Sequence, residues 1–326
     1  MVTGAPKRLS RIVSLASAMT LGLAAIMPTS TMAAAYASPQ PPASHWITST
    51  NYRYPGNDGK HHAVSWDKYS YMIDDHHLNI WSGEVHYWRL PSPHQWRDVL
   101  QKMKAAGFNA VSFYFFWGYH QSAPDSPFDF SGIRNIDLLL RMAAEEGLYV
   151  IARPGPYINA EISMGGMPAW QTNSSLPLRN AWDNTNWQQQ RAWLHAVNKI
   201  IARHQVTNGG GSVLLYQVEN EELASVGPYA DYVKKIIKAA KEDGINVPIF
   251  HNDYAPVGNW AFTTKDTGLD VYSYDDYPIR FDCSATRHKL QDHNWHIDPA
   301  FRAAHHSPHF IACLLYTSDA ADDMQC

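Results

Sequence analysis

Residues 136–152 read IDLLLRMAAEEGLYVIA. That is an amphipathic helix closing on Gly147, followed at once by the apolar strand Leu148 to Ala152. The same unit occurs twice more. Pro93 to Ala106 carries Trp96, Val99, Leu100 and Met103 on one helical face; Gly107 follows as a natural C′ residue, then a β-rich run from Asn109 to Phe115. Ala230 to Asp243 carries Val233, Ile236, Ile237 and Ala240 on one face, and Gly244 leads into Val247 to Phe250.

Helices alternating with strands imply parallel βαβ units. Candidate strands fall at 79–87, 109–115, 148–153, 213–219, 247–251, 269–274 and 308–312. Seven strands with crossovers predict an α/β chain of the (β/α)8 TIM-barrel type that stops after about strand seven. A doubly wound sheet is the rival, but it would carry a glycine-rich phosphate loop after its first strand, and none is present. Residues 45–77 read as irregular strand and turn leading into the barrel, with a turn at Gly56-Asn57-Asp58-Gly59.

Four segments follow. Lys7, Arg8 and Arg11 precede a mainly apolar run from Ile12 to Met27, and Ala35-Tyr36-Ala37 offers a small-x-small cleavage site. Residues 1–37 therefore read as a secretory signal peptide, with a secreted product and no membrane association after cleavage. Residues 38–77 lead into the barrel, and 78–312 form it. From Cys313 the text loses its pattern and back-translates to a transposase adapter of the kind used for sequencing libraries. Residues 313–326 are expected to be adapter translation rather than native chain.

Composition narrows the function. The 326 residues are 45% hydrophobic and 17% charged with formal net charge −4, which gives nucleic acid no footing. The 12 Trp and 18 Tyr serve mostly a core, although flat aromatic faces also hold sugar rings. Among 17 histidines the pairs His61-His62, His76-His77 and His305-His306 are adjacent and point apart, and no His-Glu-x-x-His occurs. No catalytic metal and no cofactor are expected. No Gly-x-Ser-x-Gly elbow supports a serine hydrolase. Of three cysteines two lie in the suspect tail, so Cys283 is expected to pair beyond it.

In such barrels chemistry sits at the C-terminal ends of strands. Those ends carry Ser112 to Trp117, Arg153 to Glu161, Gln217 to Glu222 and Tyr274 to Pro278. Glycoside hydrolysis needs two carboxyl groups. Glu221 is the candidate acid, because it ends the apolar strand Val213-Leu214-Leu215 at the barrel mouth beside Asn220. The competing reading makes Glu219, Glu221 and Glu222 a solvated strand end. By two-residue alternation Glu219 shares a face with Glu221, either as a second active carboxylate or, the favoured option, paired with an inward arginine. Glu161 follows two prolines and a glycine, so it is either a positioned acceptor for a sugar hydroxyl or a loop salt bridge.

Four ordered motifs carry a resemblance. Ser82-Gly83-Glu84-Val85-His86-Tyr87-Trp88-Arg89, the segment Arg153 to Glu161, Gly165-Gly166-Met167-Pro168-Ala169-Trp170 and Gln217 to Glu221 resemble the glycoside hydrolase family 35 β-galactosidases. Tyr277-Pro278 with Phe281-Asp282-Cys283 is similar to their secreted microbial and fungal branch. The resemblance implies a TIM barrel followed by β domains and a retaining exo-β-galactosidase that releases terminal galactose from β-galactosides. It implies Glu221 as acid/base, and Tyr114, Asn159, Ala160, Glu161, Asn220 and Tyr277 as galactose contacts. It also implies a nucleophilic glutamate just past strand seven, where the adapter-like text begins, so no residue here is assigned that role. Another β-glycosidase on the same barrel, or a non-catalytic galactoside-binding module, are the alternatives.

Overall fold

The structure is a computed structural model that describes residues 58–276, apart from 68, 174–177, 180–183, 224, 255–257 and 262–263, together with 310–314. The expected signal peptide, the adapter-like tail beyond 314, Tyr277 and Cys283 lie outside the described residues.

The first elements are three short strands, β1 (Val64–Trp66), β2 (Tyr71–Ile73) and β3 (His76–Leu78), paired antiparallel in that order. The barrel begins with β4 (Ser82–Glu84), followed by α1 (Pro93–Ala105), β5 (Ala110–Tyr114), α2 (Trp117–His120), α3 (Ile136–Glu145) and β6 (Tyr149–Arg153). Then come α4 (Asn184–Ile201), β7 (Val213–Gln217), α5 (Gly227–Glu242), β8 (Ile249–Asp253), α6 (Thr264–Thr267), β9 (Val271–Asp276) and β10 (Phe310–Leu314). The seven strands β4 to β10 form one parallel sheet whose order is their order in the chain. That is the curled sheet of the α/β barrel class, each strand laid beside its predecessor after a crossover. β10 continues through Cys313 and Leu314, across the boundary drawn at 312.

The repeated helix–glycine–strand unit is what builds it. Ser92 caps α1 by accepting from the Gln95 amide, with Pro93 in the first turn, and Asn135 caps α3 by accepting from the Leu138 amide. Gly107, Gly147 and Gly244 follow helix ends with φ of 95°, 72° and 98°, the left-handed turn that sends the chain back into a strand. Trp96 and Leu100 of α1 and Val233, Ile236 and Ile237 of α5 are buried, so the predicted apolar faces meet the sheet.

Strand ends depart from the expected ranges for identifiable reasons. Residues 79–81 do not join β4, because the Asn109 side chain accepts from the Trp81 amide and donates to the Asn79 carbonyl. After β4 the chain turns into a short 3-10 helix, Tyr87–Arg89. Before β8 the amides of Asn246 and Val247 are taken by the Gln205 side chain, which shifts the strand to 249–253. The aromatic content mostly builds core: Trp96, Trp117, Trp193 and Trp260 are fully buried, and Trp117 stacks on Trp193 at 6.3 Å. No helix among the described residues is long and apolar enough to cross a membrane.

Candidate active site

Alternation along the strands turns every second side chain into the barrel. At the C-terminal rim this brings together Glu84 of β4, Tyr114 of β5, Arg153 of β6, Gln217 of β7, Asn252 of β8 and Asp275 of β9. The layer is polar and almost sealed, and hydrogen bonds join its members. Arg153 is 1% exposed; it donates to Glu84 Oε2 at 2.8 Å and Asn220 Oδ1 at 2.9 Å, and its guanidinium lies 3.9 Å from the Tyr114 ring centroid. A buried arginine with a carboxylate partner and an aromatic face is fully committed to structure. Glu84 also bonds His86 at 2.8 Å, and His86 stacks on Trp88.

Asn220 sits at the centre of this layer. Its Oδ1 accepts from Arg153, from Tyr114 Oη at 3.3 Å and from Gln217 Nε2 at 3.3 Å. Gln217 Nε2 also donates to Asn252 Oδ1 at 2.7 Å, and the Asn252 amide donates to both Asp275 oxygens at 3.0 Å. With Oδ1 so occupied, the Asn220 amide group is the end left to point at a ligand.

Glu219 and Glu221 do not share a face, contrary to the alternation expected of a strand running to 219. The strand ends at Gln217, and both glutamates are left-handed, φ 58° at Glu219 and 46° at Glu221. Such backbone costs on the order of 1–3 kcal/mol per residue and persists only where surrounding contacts enforce it. Glu219, itself fully buried, turns away into a pair with the part-buried Arg179, whose guanidinium spans both carboxylate oxygens at 2.7 Å and reaches the Asn220 carbonyl at 2.6 Å. The paired reading of Glu219 therefore holds, with an arginine from the loop before α4. Burial pushes the Glu219 carboxyl up to about 7 against the pull of Arg179, which itself rises because of that contact. Arg179 also stacks 3.8 Å from the Tyr157 ring centroid and lies 3.4 Å from Glu222.

Glu221 is part-buried at the mouth. Its amide donates to Asn252 Oδ1 at 3.4 Å, and its carboxyl is within electrostatic reach of Asp275. Burial and this neighbour together hold the Asp275 carboxyl well above the usual carboxylate range.

The loop after β6 supplies three more candidates. Asn159, Ala160 and Glu161 are all left-handed, with φ of 55°, 52° and 47°. The Ala160 carbonyl accepts from Arg89 at 3.0 Å, and the Ile158 amide donates to Gly165. Gly165 and Gly166 are required there: a Cβ on Gly165 would meet the Tyr157 ring at 2.1 Å, and one on Gly166 would meet Ile158 at 2.7 Å. The Tyr157 hydroxyl is within electrostatic reach of Glu161, Glu219 and Glu221, and burial raises it. Tyr114, Asn159, Ala160, Glu161, Asn220 and Glu221 thus occupy one rim, whereas Tyr277 lies just beyond the described part of β9.

Glu84, Arg153, Tyr157, Arg179, Asn252 and Asp275 were given no role from sequence. Arg179 and Asn252 stand in no motif, and Asp275 stands in the strand-end segment Tyr274 to Pro278. Glu84, Arg153 and Tyr157 stand inside quoted motifs, and the available signal was that Glu84 and Arg153 are ionisable residues closing β4 and β6. No three His, Cys, Asp or Glu side chains among the described residues are grouped to hold a metal ion.

The pattern that defines the glycosyl hydrolases family 35 matches residues 70–311. The chain belongs to that family. Among curated relatives, "Probable beta-galactosidase C" of Aspergillus clavatus is 43% identical over 235 residues, 69% of this chain and 24% of that protein. The protein of the same name from Aspergillus flavus is 41% identical over 246 residues, 73% of this chain and 25% of its own length. This family 35 chain therefore spans about a quarter of the curated relatives it matches. Among solved structures, the exo-β-1,4-mannosidase Op5Man5 from Opitutaceae bacterium strain TAV5 aligns over 62% of this chain and 39% of its own, with TM-score 0.48 and 15% identity.

Proposed function

We propose that the full-length protein is an exported, retaining exo-β-galactosidase in which Glu221 is the acid/base. The observation that carries this reading is the convergence on one rim of Glu221, the Asn220 amide, Tyr114 and the left-handed segment Asn159 to Glu161. A galactose ring seated there meets Glu161, the Asn159 side chain and the Ala160 backbone on one side. Asn220 meets it on the side of the scissile bond, and Glu221 stands over the glycosidic oxygen. Glu221 gives its proton to the departing oxygen, and its carboxylate then takes one from the water that releases galactose.

Retention also requires a nucleophilic carboxylate about 5 Å from the acid. The family resemblance of the motifs implies that this glutamate lies just past strand seven. After Glu222 the 326 residues hold only one glutamate, Glu242 on the last turn of α5. On this reading residues 1–326 alone complete no double displacement.

The test uses the full-length protein with nitrophenyl β-galactoside. Hydrolysis with β-galactose as first product, at least 100-fold preferred over the β-glucoside, supports the proposal. Glu221→Gln should lose roughly 10²–10⁴-fold with alkyl galactosides but far less with dinitrophenyl galactoside, whose leaving group needs no proton. Equal losses on both substrates, or α-galactose as first product, overturn it.

A further inference from the structure

The peptide unit joining Asn220 to Glu221 is held at both of its polar ends. Its carbonyl accepts from Arg179 Nη2 at 2.6 Å, and its N–H donates to Asn252 Oδ1 at 3.4 Å. Both partners are oriented by other contacts. Arg179 forks across the two oxygens of Glu219 at 2.7 Å and lies over the Tyr157 ring, while Asn252 Oδ1 also accepts from Gln217 Nε2 at 2.7 Å. Glu219 is anchored in turn, because its amide donates to the Gly155 carbonyl at 3.0 Å.

This peptide precedes a left-handed residue, Glu221, with φ of 46°. Flipping a peptide unit changes ψ of the residue before it and φ of the residue after it. A flip here would return Glu221 to the ordinary negative range of φ and release the strain of a left-handed side-chain residue. It would also put the Asn220 carbonyl against Asn252 Oδ1 and the Glu221 N–H against the guanidinium. Acceptor would meet acceptor, and donor would meet donor. A charged donor on a carbonyl is the stronger kind of hydrogen bond, so the Arg179 contact weighs most in selecting the observed orientation.

The loop after β6 repeats the device. The peptide joining Ala160 to Glu161 also precedes a left-handed glutamate, with φ of 47°, and its carbonyl accepts from Arg89 Nη2 at 3.0 Å. Arg89 ends the 3-10 helix after β4, whereas Arg179 lies in the loop before α4. Two arginines from unrelated stretches of chain thus hold the same atom of the same conformational unit, once before each of two rim glutamates.

We propose that Arg179 and Arg89 are positioning residues that lock these two peptides against flipping, so that Glu221 stays aimed at the glycosidic oxygen and Glu161 at the sugar. The proposal rests on Glu221 being the acid/base and Glu161 a sugar contact. Each arginine acts through the backbone. Near reacting atoms a displacement of about 1 Å is enough to cost up to 10²-fold in rate, so a turned peptide would be felt in catalysis before it is felt in folding.

The two locks have different kinetic signatures. Lysine keeps the charge but lacks the planar fork that spans both Glu219 oxygens and the Asn220 carbonyl at once. In the full-length enzyme, Arg179→Lys should lower kcat roughly tenfold for alkyl galactosides and much less for dinitrophenyl galactoside, whose departure needs no acid. Arg89→Lys should weaken inhibition by galactose about fivefold and leave the ratio of the two rates unchanged. Added guanidinium should recover alkyl galactoside hydrolysis in Arg179→Ala, and methylammonium should not. A crystal structure of full-length Arg179→Lys should show the 220–221 peptide turned over and Glu221 at negative φ. A peptide that keeps its orientation there, or equal losses on both galactosides, overturns the role of Arg179, and unchanged galactose inhibition in Arg89→Lys overturns that of Arg89. Arg179→Ala leaves Glu219 buried without its cation. Should it fail to fold, Arg179→Lys alone decides. If Glu221→Gln shows no leaving-group dependence, the acid assignment fails, and the orientation of the peptide in Arg179→Lys still decides the lock.

Discussion

At the residue scale, the site is made by backbone that its residue types do not favour. Five non-glycine residues on two loops, Asn159, Ala160, Glu161, Glu219 and Glu221, are left-handed within reach of one another across the rim. What holds them is Arg179 on Glu219 and the Asn220 carbonyl, and Tyr157 stacked between Arg179 and Gly165. Gly165 is the sensitive point. Its φ of 56° already disfavours a side chain, and the added methyl would overlap the Tyr157 ring. Gly165→Ala should cost about 2 kcal/mol or more in urea unfolding and weaken galactose binding, because displacing Tyr157 releases the Arg179 clamp. A variant as stable as the parent, with unchanged galactose affinity, would show that the clamp does not run through Tyr157. The candidate acid and the candidate sugar contacts could be named from sequence because they sit in segments at strand ends, and the structure brings those it describes to one rim. Arg179 could not be, since its role comes from a chain crossing that puts 179 against 219, which no local spacing records.

At the element scale, β8 shows how one strand serves two environments. Asn252 faces the barrel, whereas His251 and Asp253 face outward onto Trp260: His251 packs 4.7 Å from its ring, and Asp253 accepts its amide at 3.1 Å. His251 Nε2 accepts from the Glu222 amide at 2.9 Å, which requires the neutral ring, and burial holds it down to about 3. Burial pushes Asp253 the other way, to about 6, despite hydrogen bonds from Tyr272 and Trp260 that favour its charge. The linked signs are opposite. The contribution of neutral His251 is complete above the unfolded value near 6.5 and is lost as pH falls toward 3. That of protonated Asp253 is complete below the unfolded value near 3.8 and is lost as pH rises through about 6. Asp253→Asn should therefore gain stability over the parent as pH rises from 4 to 6 and hold that gain above it, by on the order of 2 kcal/mol in urea melts. A difference independent of pH would mean that Asp253 is ionised throughout. The existence and order of β8 and its neighbours were readable from period and punctuation. Their ends were not, because side chains from distant elements, Asn109 and Gln205, take the amides that would otherwise extend them.

At the scale of the molecule, the sheet is an arc. Among the described residues β4 and β10 form its two edges, and neither is paired on its outer side. An unpaired parallel edge presents a row of amides and carbonyls to any other chain, and a barrel removes that liability only by closing. The rim layer has the same dependence: Glu84 on β4 is tied to β6 by Arg153, but nothing described ties β4 to β10 across the gap. We therefore expect residues 38–312 expressed alone to associate or to remain molten, with native-like helix content but exposed apolar surface that binds a hydrophobic dye. The same residues followed by the remainder of the full-length protein should be monodisperse and melt cooperatively. Size-exclusion chromatography with calorimetry separates the outcomes. A soluble monomer of 38–312 with a single sharp transition would mean that the seven-stranded arc closes its own edges without further chain.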